Sequence, residues 1–74
     1  MTVRVKLFAS LRIGRFAWAD IELPEGSAIA AALEASAVPE AEAAVIFLNS
    51  RHALPGDELR DGDSLAVFPP VGGG

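Results

Sequence analysis

At 74 residues the chain has room for one domain with one small core, and no second domain. It contains no cysteine, which excludes a disulfide framework, a thiolate metal site and a cysteine nucleophile, and suits a reducing cytoplasm. A net charge of −4 with scattered basic residues argues against nucleic acid as a partner, and the alanine-rich apolar run from Ala28 to Val38 is too short to span a membrane.

From Val3 to Phe8 the residues alternate, with Val3, Val5 and Leu7 on one face and Arg4, Lys6 and Phe8 on the other. That is the period of a half-buried strand. Gly14 permits a reversal, and Ala19, Ile21 and Leu23 then fall on one face of a second strand, predicting a hairpin. Pro24-Glu25-Gly26 breaks the pattern, and Ser27 stands where a helix N-cap would accept an amide hydrogen bond. Ile29, Ala32, Leu33 and Ser36 share one face at helical spacing, and Pro39 bars continuation past Val38, so a helix of about three turns is expected. Glu40 to Ala43 is an acidic connection with room for one helical turn.

Val45-Ile46-Phe47-Leu48 is a continuous apolar run, read as a central strand buried on both faces. Asn49-Ser50 is a two-residue turn into a short antiparallel partner, Arg51 to Leu54. After the turn at Arg60-Asp61-Gly62-Asp63, Ser64 to Phe68 forms the last strand with Leu65 and Val67 on one face. A single helix between strands must cover one face of one sheet, which is the α+β class. The other face stays open. If the first and last strands are neighbours, Phe8 and Phe68 sit side by side on it, at the root of the C-terminal tail.

The tail sets a stiff base under a thin tip. Pro69 and Pro70 fix φ and hold the chain extended, whereas Gly72, Gly73 and Gly74 carry no side chains. At about 3.3–3.6 Å per extended residue, the tail from Pro69 to Gly74 reaches roughly 20 Å, enough to enter a partner's buried channel that only bare backbone fits. The plainer explanation of terminal glycines is a frayed end.

No catalytic constellation is present. His52 has neither a cysteine, a second histidine nor a carboxylate pattern around it, so no metal is expected there. Asp57, Glu58, Asp61 and Asp63 lack the terminal bidentate glutamate of a calcium loop, and turn chemistry accounts for Asp61-Gly62-Asp63. Phe16 and Trp18 read equally as a binding pair or as cover for a sheet edge. Ser27 has no base to activate it.

The opening Val5-Lys6-Leu7-Phe8-Ala9 with Leu11-Arg12, the turn Leu59-Arg60-Asp61-Gly62-Asp63, and Val67-Phe68-Pro69-Pro70-Val71 before the glycines resemble the sulfur carriers of the MoaD and ThiS type. Within them, the small subunit of molybdopterin synthase is the nearest pattern. The resemblance implies a β-grasp, ubiquitin-like fold: a mixed sheet of about five strands in the order ββαβββ with one helix on one face, spanning residues 1–70, and a flexible tail over 71–74. It implies that an E1-like adenylating enzyme uses ATP to activate Gly74, which becomes a thiocarboxylate and gives its sulfur to a pterin precursor inside the large synthase subunit. Gly72 and Gly73 would thread the channel, while Phe8, Phe68, Arg12 and His52 would meet the partner, with Arg4 and Lys6 as a polar rim. The chain would bind no cofactor itself. Thiamine thiazole or cysteine synthesis are alternative destinations for the sulfur, and a docking or modifier module without sulfur transfer is the rival class. Lys6 is the only lysine to which such modifiers could be joined.

Overall fold

The alternation at the start of the chain is realised as β1 (Thr2–Leu7), in which Val3, Val5 and Leu7 are fully buried and Arg4 and Lys6 are exposed. The structure is a computed structural model that describes residues 1–71. The expected hairpin forms, with β2 (Trp18–Glu22) antiparallel to β1 and Val5 opposite Ala19. Its connection is longer than a turn at Gly14 alone. Ala9 takes a positive φ of 52°, and a 3-10 helix over Ala9–Arg12 follows, driving Leu11 into the core.

The helix α1 (Ile29–Ala35) buries Ile29, Ala32 and Leu33, the face expected from their spacing. Both of its ends depart from expectation. Ser27 is not the N-cap: its hydroxyl donates to the Pro24 carbonyl at 2.7 Å, closing the preceding turn. Ala28 holds the cap position, and the open amides of Ile29 and Ala30 donate to the carbonyls of Asp57 and Pro55 at 2.9 and 2.8 Å. A distant loop thus does the capping that a local side chain was expected to do. At the other end the helix stops a turn early, because Ala37 adopts φ 58°. The Ala37 amide reaches Glu34 and the Val38 amide reaches Leu33, the two crossed hydrogen bonds of a Schellman ending, with Val38 and Leu33 both buried. Pro39 therefore follows a helix that has already ended.

A second 3-10 turn occupies Glu40–Glu42, then β3 (Val45–Leu48) and β4 (Arg51–Ala53) flank the turn at Asn49 and Ser50. Those two residues have φ of 50° and 69°, the paired left-handed geometry of a two-residue hairpin turn. The Asn49 amide supports it by donating to Asp63 and accepting from the Ser64 amide, both at 2.9 Å. β5 (Ser64–Phe68) buries Leu65 and Val67.

The sheet order is β2-β1-β5-β3-β4, with β1 and β5 parallel at the centre and the other pairs antiparallel. The core joins Val3, Val5, Leu7, Ile46, Leu65 and Val67 of the sheet to Ile29 and Leu33 of the helix. β3 corrects the sequence reading: Ile46 is buried, but Val45, Phe47 and Leu48 are only half-buried. Among the described residues no helix covers its second face, so the apolar run lines one core face and one open face.

Candidate docking face at the root of the tail

Because β1 and β5 are parallel neighbours, the residue following β1 lies beside the end of β5. The Phe8 amide donates to the Val67 carbonyl at 3.1 Å, and the rings of Phe8 and Phe68 stack with centroids 4.3 Å apart and planes 11° from parallel. Phe47 meets Phe68 edge-on at 6.0 Å, and His52, its partner in the β3–β4 register, meets Phe47 edge-on at 5.0 Å. At the other end the Arg12 guanidinium lies over the Phe8 ring at 5.6 Å, held by its Nε, which donates to the Leu7 carbonyl at 2.8 Å. Arg12, Phe8, Phe68, Phe47 and His52 therefore form one contact chain across the helix-free side of the sheet.

Four of these five residues were expected at the partner surface, and the structure brings all four together. Phe47 is the one that sequence reasoning missed. Its signal was the alternation of Val45 and Phe47 against Ile46 and Leu48, obscured because both sets are apolar. Phe8 and Phe68 point outward as expected but are half-buried, since each covers the other.

The last described residues leave from this patch. Pro69, Pro70 and Val71 join Ala9, Val45, Phe47 and Phe68 in lining an apolar groove, and Val71 is 93 % exposed. Gly72, Gly73 and Gly74, expected as the threading and reactive residues, lie outside the described residues.

Arg4 is not part of a rim around the aromatics. Its Nε donates to an Asp20 carboxylate oxygen at 2.9 Å, and its guanidinium stacks over Trp18 at 4.3 Å. That hydrogen bond, with the attendant charge, raises the Arg4 pKa, and the same bond holds the Asp20 carboxyl below its usual range. The pairing of Phe16 with Trp18 does not hold, as Phe16 packs on the core while Trp18 serves Arg4. The carboxylates of the Asp61-Gly62-Asp63 turn accept backbone amides, from Thr2 and from Arg60, each at 2.7 Å.

Chemically, the described residues offer an aromatic surface on the open face and a proline-stiffened strand end leaving from it. A mixed five-strand sheet gripping one α-helix, with β5 at its centre running out into the tail, defines a β-grasp, ubiquitin-like domain. A model of the ThiS family matches residues 5–74, and the chain belongs to that family of ubiquitin-like sulfur carriers.

Among solved structures, a candidate molybdopterin converting factor subunit 1 from Pyrococcus furiosus is 34% identical, with a TM-score of 0.77 over 96% of this chain and 99% of that one. The small archaeal modifier protein 1 of H. volcanii is 23% identical, with a TM-score of 0.77 over 95% of this chain and 98% of that one. One chain of a protein–protein complex of subunits 1 and 2 of the molybdopterin-converting factor from Helicobacter pylori 26695 is 24% identical, with a TM-score of 0.64 and full coverage of both chains. The last two likenesses are likenesses of fold. No curated protein matches by sequence. Among the described residues, no helix is long and apolar enough to cross a membrane.

Proposed function

We propose that this chain is the sulfur-carrying small subunit of a molybdopterin synthase, working at the Gly74 carboxylate. An E1-like adenylating enzyme supplies ATP: a Gly74 carboxylate oxygen attacks the α-phosphorus, pyrophosphate leaves, and the acyl group gains AMP as a good leaving group. Sulfur at the hydrosulfide level then attacks the acyl carbon, the C–S bond forms and the bond to AMP breaks. The resulting thiocarboxylate is ionised at neutral pH and presents a soft nucleophile to the pterin precursor held by the large subunit. This division of labour suits a chain without cysteine, whose sulfur must come from elsewhere.

The observation that carries the reading is the aromatic face at the root of the tail. A docking patch there leaves the roughly 20 Å reach of the tail free for delivery, whereas a distant patch would leave Gly74 short of the partner's active site. The Pyrococcus furiosus likeness supports the molybdopterin destination over other sulfur acceptors, since its identity runs through nearly the whole chain. Reconstitution is the test. Thiocarboxylated chain mixed with the cognate large subunit and the pterin precursor is expected to yield the dithiolene product, and chain lacking Gly74 to yield none. Sulfur delivered only to a thiazole or cysteine-forming system would overturn the assignment.

A further inference from the structure

β5 is the central strand, with β1 on one side and β3 on the other, so its continuation into the tail is open to pairing on both sides. Along a strand the amide and carbonyl of one residue point to the same side, and successive residues alternate. The carbonyls of Asp63 and Val67 accept from the Arg4 and Phe8 amides at 2.9 and 3.1 Å, so odd-numbered residues face β1. Those of Ser64 and Phe68 accept from the Asn49 and Ala44 amides at 2.8 and 3.0 Å, so even-numbered residues face β3. Carried one residue further on each side, the alternation turns position 69 toward β1 and position 70 toward β3. Both positions are proline. The register would send an amide at 69 to the Phe8 carbonyl and an amide at 70 to the backbone just ahead of β3. Neither amide exists, because proline has no N–H. The Phe8 carbonyl accepts from Leu11 instead, at 3.1 Å, and β5 ends at Phe68.

The geometry points to Pro69 and Pro70 as positioning residues for the reaction at Gly74: each silences one of the two ladders beside β5, so the chain leaves the sheet at Phe68 with its backbone unpaired. Holding the chain extended is a separate effect, since a paired strand is extended too. Pairing of two further residues would take about 7 Å from the roughly 20 Å reach of the tail and lay its root along the sheet. Two prolines suffice because the neighbouring strands also end here. Ala9, at φ 52°, turns the chain out of β1, and the 3-10 turn Glu40–Glu42 lies just ahead of β3. The inference rests on the sulfur-carrier reading for the reaction it serves, whereas the pairing itself is read on the chain alone.

The test uses the full chain carrying Pro69→Ala and Pro70→Ala together. Amide hydrogen exchange followed by NMR, without any partner, is expected to show the amides introduced at 69 and 70 slowed about fivefold or more relative to an unstructured peptide. In ATP–pyrophosphate exchange with the cognate adenylating enzyme, the same variant should show KM raised about tenfold with kcat unchanged, because only the unpaired fraction engages. A synthetic chain with N-methylalanine at both positions lacks the donors and the proline rings alike, and should keep a KM near the native value. Freely exchanging amides at 69 and 70, or a native KM for the alanine variant, would overturn the inference. So would a KM for the N-methylalanine chain as high as that of the alanine variant, since ring stiffness would then be the cause. Absence of ATP–pyrophosphate exchange with the native chain would count against the sulfur-carrier reading and not against the ending of the ladders.

Discussion

Phe68→Ala separates binding from stability in a way that the stacked geometry makes quantitative. The ring contacts Phe8 face to face at 4.3 Å and Phe47 edge-on at 6.0 Å, and truncation removes both contacts. At about 0.5–1.5 kcal/mol for each aromatic pair, the loss of folding stability comes to roughly 2 kcal/mol. For a domain of this size that lowers Tm by about 8–16 °C. If the residue is also a docking anchor, affinity for a partner falls by about 2 kcal/mol or more, near thirtyfold, when measured at a temperature where the variant remains folded. Denaturant melts followed by circular dichroism give the first quantity, and calorimetric titration with the large subunit gives the second. Phe47→Ala, which removes the edge-on partner of Phe68, serves as the comparison. A variant that loses stability but binds as the native chain does would make the aromatic group a cap on the core and refute the docking argument.

Other expectations follow from particular atoms. Among the described residues the Ser36 hydroxyl, 3 % exposed, has no hydrogen-bond partner, so Ser36→Ala should raise unfolding free energy by about 1 kcal/mol in a urea melt. Ala37 sits at φ 58°, where a Cβ is strained, and Ala37→Gly should stabilise by roughly 0.5–1 kcal/mol in the same assay. The Asp20 carboxyl is held below its unfolded value by Arg4, so its contribution to stability is present at neutral pH and lost as pH falls through the lowered folded-state value. Asp20→Asn should flatten that acid-side slope, by a small amount that salt reduces further, since the pair is exposed. Gly73→Val should block adenylation or transfer with little change in Tm, and normal turnover would remove the argument for a narrow channel.

How far the fold was legible depends on whether the forces were local. β1 and β5 alternate cleanly because one face meets the helix and the other meets solvent, and the pairing of Phe8 with Phe68 followed from placing those strands side by side. The Asn49-Ser50 turn was legible from its two residues. Ser27 was misread because the helix amides are satisfied by carbonyls of Pro55 and Asp57, nearly thirty residues onward in roughly the manner of a tertiary cap, which no local motif announces. The early end of α1 was hidden likewise, since alanine is a poor signal for a left-handed residue and Ala37 takes that role only with Val38 buried against the core. Phe47 escaped because an apolar run looks the same whether its second face meets a helix or awaits a partner. Arg4 was taken for a rim residue because the cross-strand register that sets it against Asp20 and Trp18 depends on the length of the hairpin connection.

The central claim is that Gly74 carries sulfur, and intact-mass spectrometry tests it most directly. After incubation with the cognate adenylating enzyme, ATP and a sulfur source, the chain is expected to gain the mass difference between one sulfur and one oxygen, localised by fragmentation to Gly74 and absent when ATP is withheld. An unchanged mass under conditions where the enzyme demonstrably adenylates the chain, or a mass gain that maps to any other residue, would contradict the account.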